Sequence, residues 1–116
     1  MATVLLVDDD VNALDALKEL IGQEGYRVMT AADGTHALRS ALAEPPDIVI
    51  SDCMMPDMDG LTLMRELRRN RELANVPLVL MSAVVTPPPG ADVVGFLRKP
   101  FAGSQLIAML RRVQLP

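Results

Sequence analysis

The chain has 116 residues, half of them apolar, and a formal net charge of −4 at pH 7. A chain of this length builds one hydrophobic core, so we expect a single domain over residues 1–116. The acidic balance disfavours a nucleic-acid surface, because phosphate binding needs a basic face. A solvated helix end explains the cluster of Arg68, Arg69 and Arg71.

The composition is not that of a secreted or membrane-embedded protein. The single cysteine, Cys53, excludes an internal disulfide and fits a reducing compartment. No apolar run approaches the ~18 residues of a membrane span. No signal-like segment precedes the first predicted strand. We therefore expect a cytoplasmic protein that does not associate with membranes.

Strand-like and helix-like segments alternate along the chain. Strands are predicted at residues 4–7, 26–31, 47–51, 76–81 and 95–98. Apolar residues at helical spacing predict helices around residues 14–21, 37–42, 61–67 and 106–113. Gly25 is a helix stop, and Asp33-Gly34 is interpreted as a turn. Because three of the strands are continuous apolar runs, the pattern predicts a parallel sheet with helices on both faces.

The connection between the fourth and fifth strands is unusual. It has about a dozen residues, close to the minimum for a parallel crossover. Three of them are Pro87, Pro88 and Pro89, which favour an extended conformation over a helix interior. We predict that the fourth crossover helix is shortened or missing, and that residues 83–94 are irregular and mobile.

Polar side chains stand where the predicted strands end. Asp8 and Asp9 follow the first strand, Asp52 the third, Ser82 the fourth and Lys99 the fifth. Open α/β sheets bind ligands outside the carboxyl ends of their strands. This edge of the sheet would therefore combine three acids, a hydroxyl and an ammonium, a set of groups suited to phosphoryl transfer.

The three acids favour a metal site. In a doubly wound sheet, the ends of the first and third strands are adjacent at a topological switch point, which places Asp8, Asp9 and Asp52 together. Close carboxylates repel one another unless a pKa rises or a cation binds, and oxygen ligands with open positions suit Mg²⁺. Asp10 or Asn12 is better explained as a helix cap. Lys99 is one of only two lysines beside nine arginines, and its compact ammonium suits a phosphoryl oxygen.

Four motifs resemble the receiver domain of two-component response regulators, including the stand-alone chemotaxis type. In chain order they are Leu5-Leu6-Val7-Asp8-Asp9, Asp52-Cys53-Met54-Met55-Pro56-Asp57-Met58-Asp59-Gly60, Met81-Ser82-Ala83 and Lys99-Pro100-Phe101. The resemblance covers nearly the whole chain. It implies a flavodoxin-like, doubly wound, five-stranded parallel sheet in the order 2-1-3-4-5.

The resemblance also implies a mechanism. Asp52 would accept a phosphoryl group from a phosphohistidine of a sensor histidine kinase or phosphotransfer protein. Asp8, Asp9, Asp52 and the backbone carbonyl of Met54 would hold Mg²⁺, with Mn²⁺ as a substitute. The chain would phosphorylate and dephosphorylate itself, as a phospho-acceptor rather than a true enzyme.

The same resemblance assigns the switch that a downstream protein target would read. Lys99 and Ser82 would contact the phosphoryl oxygens. Phe96 occupies the aromatic switch position and would turn inward behind Ser82, although a plain core ring is an equal alternative. The Lys99–Pro100 bond is a candidate cis bond, with Pro100 at a tight turn. Since the fourth helix is reduced, we expect an altered output face and a dimer, if any, through another surface.

Three alternatives stay open at this stage. A haloacid-dehalogenase-type phosphatase would use Asp8 as its nucleophile within Asp8-Asp9-Asp10. A non-catalytic interaction module would keep the fold without taking up phosphate. A calcium loop would use Asp57, Asp59, Gly60 and Glu66, but Met55 stands at its first position.

Overall fold

The computed structural model describes residues 1–55, 58–83 and 89–113. Over these ranges, strands and helices alternate up to β4, as the sequence predicts. The elements are β1 Thr3–Val7, α1 Val11–Gln23, β2 Arg27–Ala31, α2 Gly34–Ala43, β3 Ile48–Asp52, α3 Gly60–Arg69, β4 Leu78–Ser82, β5 Gly95–Arg98 and α4 Gly103–Arg112.

The five strands form one parallel sheet in the order β2-β1-β3-β4-β5, which confirms the predicted fold class. Every residue of β3 and β4 is buried. Successive strand residues face opposite sides of a sheet, so Leu6 belongs to one hydrophobic core cluster and Leu5 to the other. Helices on both faces therefore explain the continuous apolar runs of the sequence.

Three of the four described helices have an aspartate as their N-cap residue. Asp10 accepts hydrogen bonds from the N–H groups of Asn12 (3.0 Å) and Ala13 (3.3 Å) at the start of α1. Asp33 caps α2 and Asp59 caps α3 in the same way. The interpretation of Asp33-Gly34 as a turn is therefore wrong, because the same residue types serve caps and turns. At the end of α1, Gly25 adopts a φ of 92°, as expected of a helix stop.

The described part of the crossover from β4 to β5 contains no helix, in line with the predicted shortened or missing crossover helix. Ala91 and Val93 pack against the core while Asp92 between them is exposed. Residues 84–88, which include Pro87 and Pro88, lie outside the described residues. Mobility of residues 83–94 stays a prediction.

Side chains of α3 contact Asp92, which lies in the described part of this crossover just before β5. Arg68 donates hydrogen bonds to the carbonyl oxygens of Val76 (2.7 Å) and Asp92 (3.4 Å). The Asp92 N–H lies 3.1 Å from the sulfur of Met64. The assignment of Arg68 to a solvated helix end is therefore wrong, because a backbone carbonyl before β4 and another in the crossover accept its hydrogen bonds.

None of the helices in the described ranges has the length and hydropathy that crossing a membrane requires.

Candidate functional site

Polar groups gather at the carboxyl edge of the sheet. Asp8 directly follows β1, Asp52 ends β3, Ser82 ends β4 and Lys99 directly follows β5. The strand register aligns these ends, since Val7 lies beside Ser51, Asp52 beside Met81 and Ser82 beside Arg98. The sheet order thus places the ends of four sequence-distant strands at one level.

Three carboxylates form a cluster that suits a divalent cation. One oxygen from each of Asp8, Asp9 and Asp52 lies within 4.8 Å of the others. Asp8 and Asp52 are buried, at 1% and 8% exposure, whereas Asp9 is exposed. These are hard oxygen donors, and one ammonium offsets only part of their combined charge. The donor chemistry therefore fits Mg²⁺, which takes oxygen ligands and keeps several waters.

Lys99 supplies that ammonium. Its Nζ lies 3.1 Å from Oδ2 of Asp8 and 3.2 Å from Oδ2 of Asp52, and one third of its side chain is exposed. Burial by itself lowers the pKa of Lys99, but the hydrogen bonds and charges of Asp8 and Asp52 together outweigh burial and raise that pKa. Lys99 is therefore a permanent cation that joins two carboxylates.

Asp52 has the opposite balance. Burial raises the pKa of its carboxyl, and the charge of Asp8 adds to this effect. Lys99 and the Met54 N–H, which donates to Oδ1 at 3.3 Å, lower the pKa without cancelling the rise. Ionised Asp52 is therefore less favourable in the folded chain than in the unfolded one.

This raised pKa predicts that Asp52→Asn stabilises the metal-free chain at neutral pH. The folded chain holds the Asp52 proton more tightly than the unfolded chain does. Protonation of Asp52 therefore makes its full contribution to stability below the ordinary pKa of 3.8, and this contribution is lost as pH rises through the pKa of Asp52 in the folded chain. Asparagine, like the protonated acid, carries no charge. Thermal unfolding in EDTA should therefore give the variant the higher Tm at pH 7, with the difference fading below pH 3.8.

Asp15→Asn is the matched control, since Asp15 is an exposed aspartate on α1. An equal gain in that variant would attribute the effect to net charge, and a lower Tm for Asp52→Asn at pH 7 would contradict the prediction.

Ser82 and Phe96 are the other residues singled out in the sequence. Ser82 is 2% exposed, and its carbonyl accepts the Lys99 N–H at 2.7 Å, which joins the ends of β4 and β5. Phe96 is half-buried, packs against the same core cluster as Ala91 and Val93, and borders a groove of about 670 Å³ between β5 and α4. The structure thus places both near the crossover, and their switch roles stay predictions.

The peptide bond between Lys99 and Pro100 is cis, as predicted.

An apolar groove beside the acids was not predicted from the sequence. It has a volume of about 510 Å³ and is bordered by Asp8, Asp10, Ala13, Ala16, Leu17, Ala83, Lys99, Pro100 and Phe101. Ala13 and Leu17 are four residues apart, a spacing that places side chains on one helix face. In the sequence, this spacing beside the Asp10 cap is the pattern from which the groove could have been predicted.

Comparisons with known proteins agree with this geometry. A family model described as the response regulator receiver domain matches residues 4–111. The transcriptional regulatory protein KdpE of Mycobacterium tuberculosis is 36% identical, over 96% of this chain and 50% of that protein. CpxR of Klebsiella pneumoniae, also a transcriptional regulatory protein, is 35% identical, over 97% and 49%. The chain thus spans about half the length of the curated relatives it matches.

Solved structures give the same result. The chemotaxis protein CheY4 of Vibrio cholerae superposes with a TM-score of 0.92 at 32% identity, over 98% of this chain and 99% of that one. The receiver domain of the sensor histidine kinase PA1611 from Pseudomonas aeruginosa has a TM-score of 0.84 at 30% identity, over 96% and 95%. That structure contains a magnesium ion coordinated in the active site cleft.

Proposed function

The chain belongs to the response regulator receiver domain family, and from that premise we propose that it is the phospho-acceptor of a two-component system, with Asp52 as the phosphorylated residue. The observation that carries the proposal is the ammonium of Lys99, which lies about equally close to Asp8 and Asp52 within a cluster of three carboxylates. Phosphoryl transfer needs mainly positioning and neutralisation of charge, and this arrangement supplies both.

Accessibility supports Asp52 over Asp8 as the acceptor. The side chain of Asp8 is only 1% exposed. The side chain of Asp52 is 12% exposed. A donor phosphate has to reach the attacking oxygen, so the carboxylate that water reaches is the better nucleophile.

Asp8, Asp9, Asp52 and the backbone carbonyl of Met54 would hold Mg²⁺, with Mn²⁺ as a substitute. The metal would neutralise negative charge on the phosphoryl group as it is transferred. The magnesium ion in the PA1611 receiver domain supports this assignment.

In the transfer itself, an Oδ of Asp52 forms the new bond to phosphorus while the phosphorus–nitrogen bond of a phosphohistidine breaks. The electron pair of that bond stays with the leaving imidazole, which takes up a proton. Lys99, already 3.2 Å from Oδ2 of Asp52, moves its ammonium to a phosphoryl oxygen. Ser82 donates its hydroxyl to another, and Phe96 turns inward behind it. The new dianion thus biases a two-state equilibrium.

The phosphohistidine belongs to a sensor histidine kinase or a phosphotransfer protein, and the apolar groove beside Asp8 and Lys99 is where such a partner would approach. A downstream protein target reads the switched surface. Because KdpE and CpxR are transcriptional regulators of about twice this length, a DNA-binding region elsewhere in a longer protein is one form of that target. We place this activity in the cytoplasm, and this domain makes no direct contact with nucleic acid.

Acetyl phosphate tests the proposal without a partner protein. We expect Mg²⁺-dependent addition of one phosphoryl group, read as intact mass, and no addition in EDTA. One ammonium offsets only part of the charge of three carboxylates, so the cluster repels a phosphate dianion until a divalent cation binds. Absence of labelling by a chain that is folded by circular dichroism would favour the non-catalytic interaction module instead.

A further inference from the structure

Gly60 lies closer to the backbone of Asp52 than a residue with a side chain could. It is the first residue of α3, and its N–H donates to the carbonyl of Cys53 at 2.9 Å. A Cβ built on it would lie 2.7 Å from the carbonyl oxygen of Asp52, 2.8 Å from Cδ2 of Leu80 and 3.0 Å from Cα of Cys53. Two of these three contacts are with backbone atoms, which do not rotate away.

The Asp52 backbone has little freedom to yield. Its carbonyl accepts the hydroxyl of Ser51 at 2.9 Å, and the next N–H, of Cys53, donates to Met81 of β4 at 2.8 Å. A side chain at position 60 would therefore either displace Asp52 from this network or push α3 away and break the Gly60–Cys53 hydrogen bond. Both movements change the direction in which the Asp52 carboxylate points.

We propose that Gly60 is a positioning residue: its missing side chain lets α3 begin against the Asp52 carbonyl and so fixes the carboxylate relative to Lys99 and the neighbouring acids. The proposal rests on the proposed phospho-acceptor function of Asp52. Misplacing a reacting group by about 1 Å costs roughly 100-fold in rate, so the effect is measurable in a folded protein.

The experiment compares Gly60→Ala with Gly103→Ala. Gly103 is the first residue of α4, as Gly60 is of α3, and its added Cβ would lie 2.7 Å from Cδ2 of Leu20. Both variants thus add a methyl group at a helix start against a leucine side chain, but only Gly60→Ala also meets the Asp52 backbone. Labelling by acetyl phosphate is followed at saturating Mg²⁺, at a temperature where circular dichroism finds both variants fully folded.

We expect Gly60→Ala to slow labelling by about 10- to 100-fold, while Gly103→Ala keeps the wild-type rate. A second readout does not depend on phosphorylation: the amide resonance of Met54, whose N–H donates to Asp52 Oδ1, should move in Gly60→Ala and stay in Gly103→Ala. If acetyl phosphate does not label the wild type, the proposed phospho-acceptor function is wrong. The Met54 resonance would still test whether Gly60 positions Asp52.

An unchanged rate in Gly60→Ala, or an unmoved Met54 resonance, would overturn the proposal. So would a Gly60→Ala chain that fails to fold beside a folded Gly103→Ala chain, because the contact would then sustain the fold as a whole. A double variant with Leu80→Ala separates the contacts. Recovery of the labelling rate there would attribute the effect to the Leu80 side chain and also overturn it.

Discussion

Asp52→Asn is expected to abolish labelling by acetyl phosphate while the chain stays folded. The substitution keeps the size of the side chain but replaces a nucleophilic carboxylate by an amide, which does not form an acyl phosphate. The neighbouring acids do not compensate. Asp8 is almost inaccessible, and exposed Asp9 makes neither of the Lys99 contacts. Intact mass after incubation with acetyl phosphate and Mg²⁺ should find only the unmodified chain.

Asp33→Asn is the matched control for this experiment. Asp33 caps α2 through the His36 N–H, and asparagine caps helices about as well as aspartate. This variant loses the same charge at a residue outside the cluster of Asp8, Asp9 and Asp52 and should label like the wild type. Labelling that persists in Asp52→Asn but disappears in Asp8→Asn would contradict the assignment, since the haloacid-dehalogenase alternative predicts modification of Asp8.

The sheet and its functional edge were predictable from the sequence for one physical reason. Strands buried on both faces are continuous apolar runs, and such runs end where the chain leaves the core. The polar residues at the ends of these runs, Asp8, Asp52 and Ser82, therefore meet at one edge once the strand order is known. The sequence does not contain the distances. Resemblance to a family suggested the role of Lys99, but only the structure gives its position between two carboxylates.

Other features depend on tertiary contacts that periodicity does not encode. A charge pattern cannot distinguish Arg68, which donates to two backbone carbonyls, from Arg71, which is exposed. Asp33-Gly34 was misassigned because turns and helix caps use the same side-chain chemistry. The close approach of Gly60 to Asp52 is likewise a property of packing. A glycine permits this approach, but its presence in the sequence does not indicate it.

Lys99→Met is expected to destabilise the metal-free chain and to make its stability strongly dependent on Mg²⁺. The substitution keeps a long apolar side chain but leaves Asp8 and Asp52 without their shared cation. Removing one partner of a fully buried ion pair costs about 3–5 kcal/mol. Because one third of the Lys99 side chain is exposed, water screens part of this cost, and we expect about 1–3 kcal/mol.

Urea unfolding in EDTA and in saturating Mg²⁺ measures both effects. A divalent cation among the carboxylates stabilises the folded state in proportion to its affinity, and that affinity should rise when no ammonium competes for the same oxygens. Mg²⁺ should therefore restore part of the stability lost in Lys99→Met and raise the free energy of unfolding more than in the wild type.

Lys18→Met is the natural control, because Lys18 is the other lysine of the chain and is exposed on α1. It should unfold like the wild type with and without Mg²⁺. An equal Mg²⁺ effect in Lys99→Met and wild type would mean that metal and ammonium do not share the carboxylates. The site would then have to place the cation on Asp9, away from the two acids that Lys99 joins.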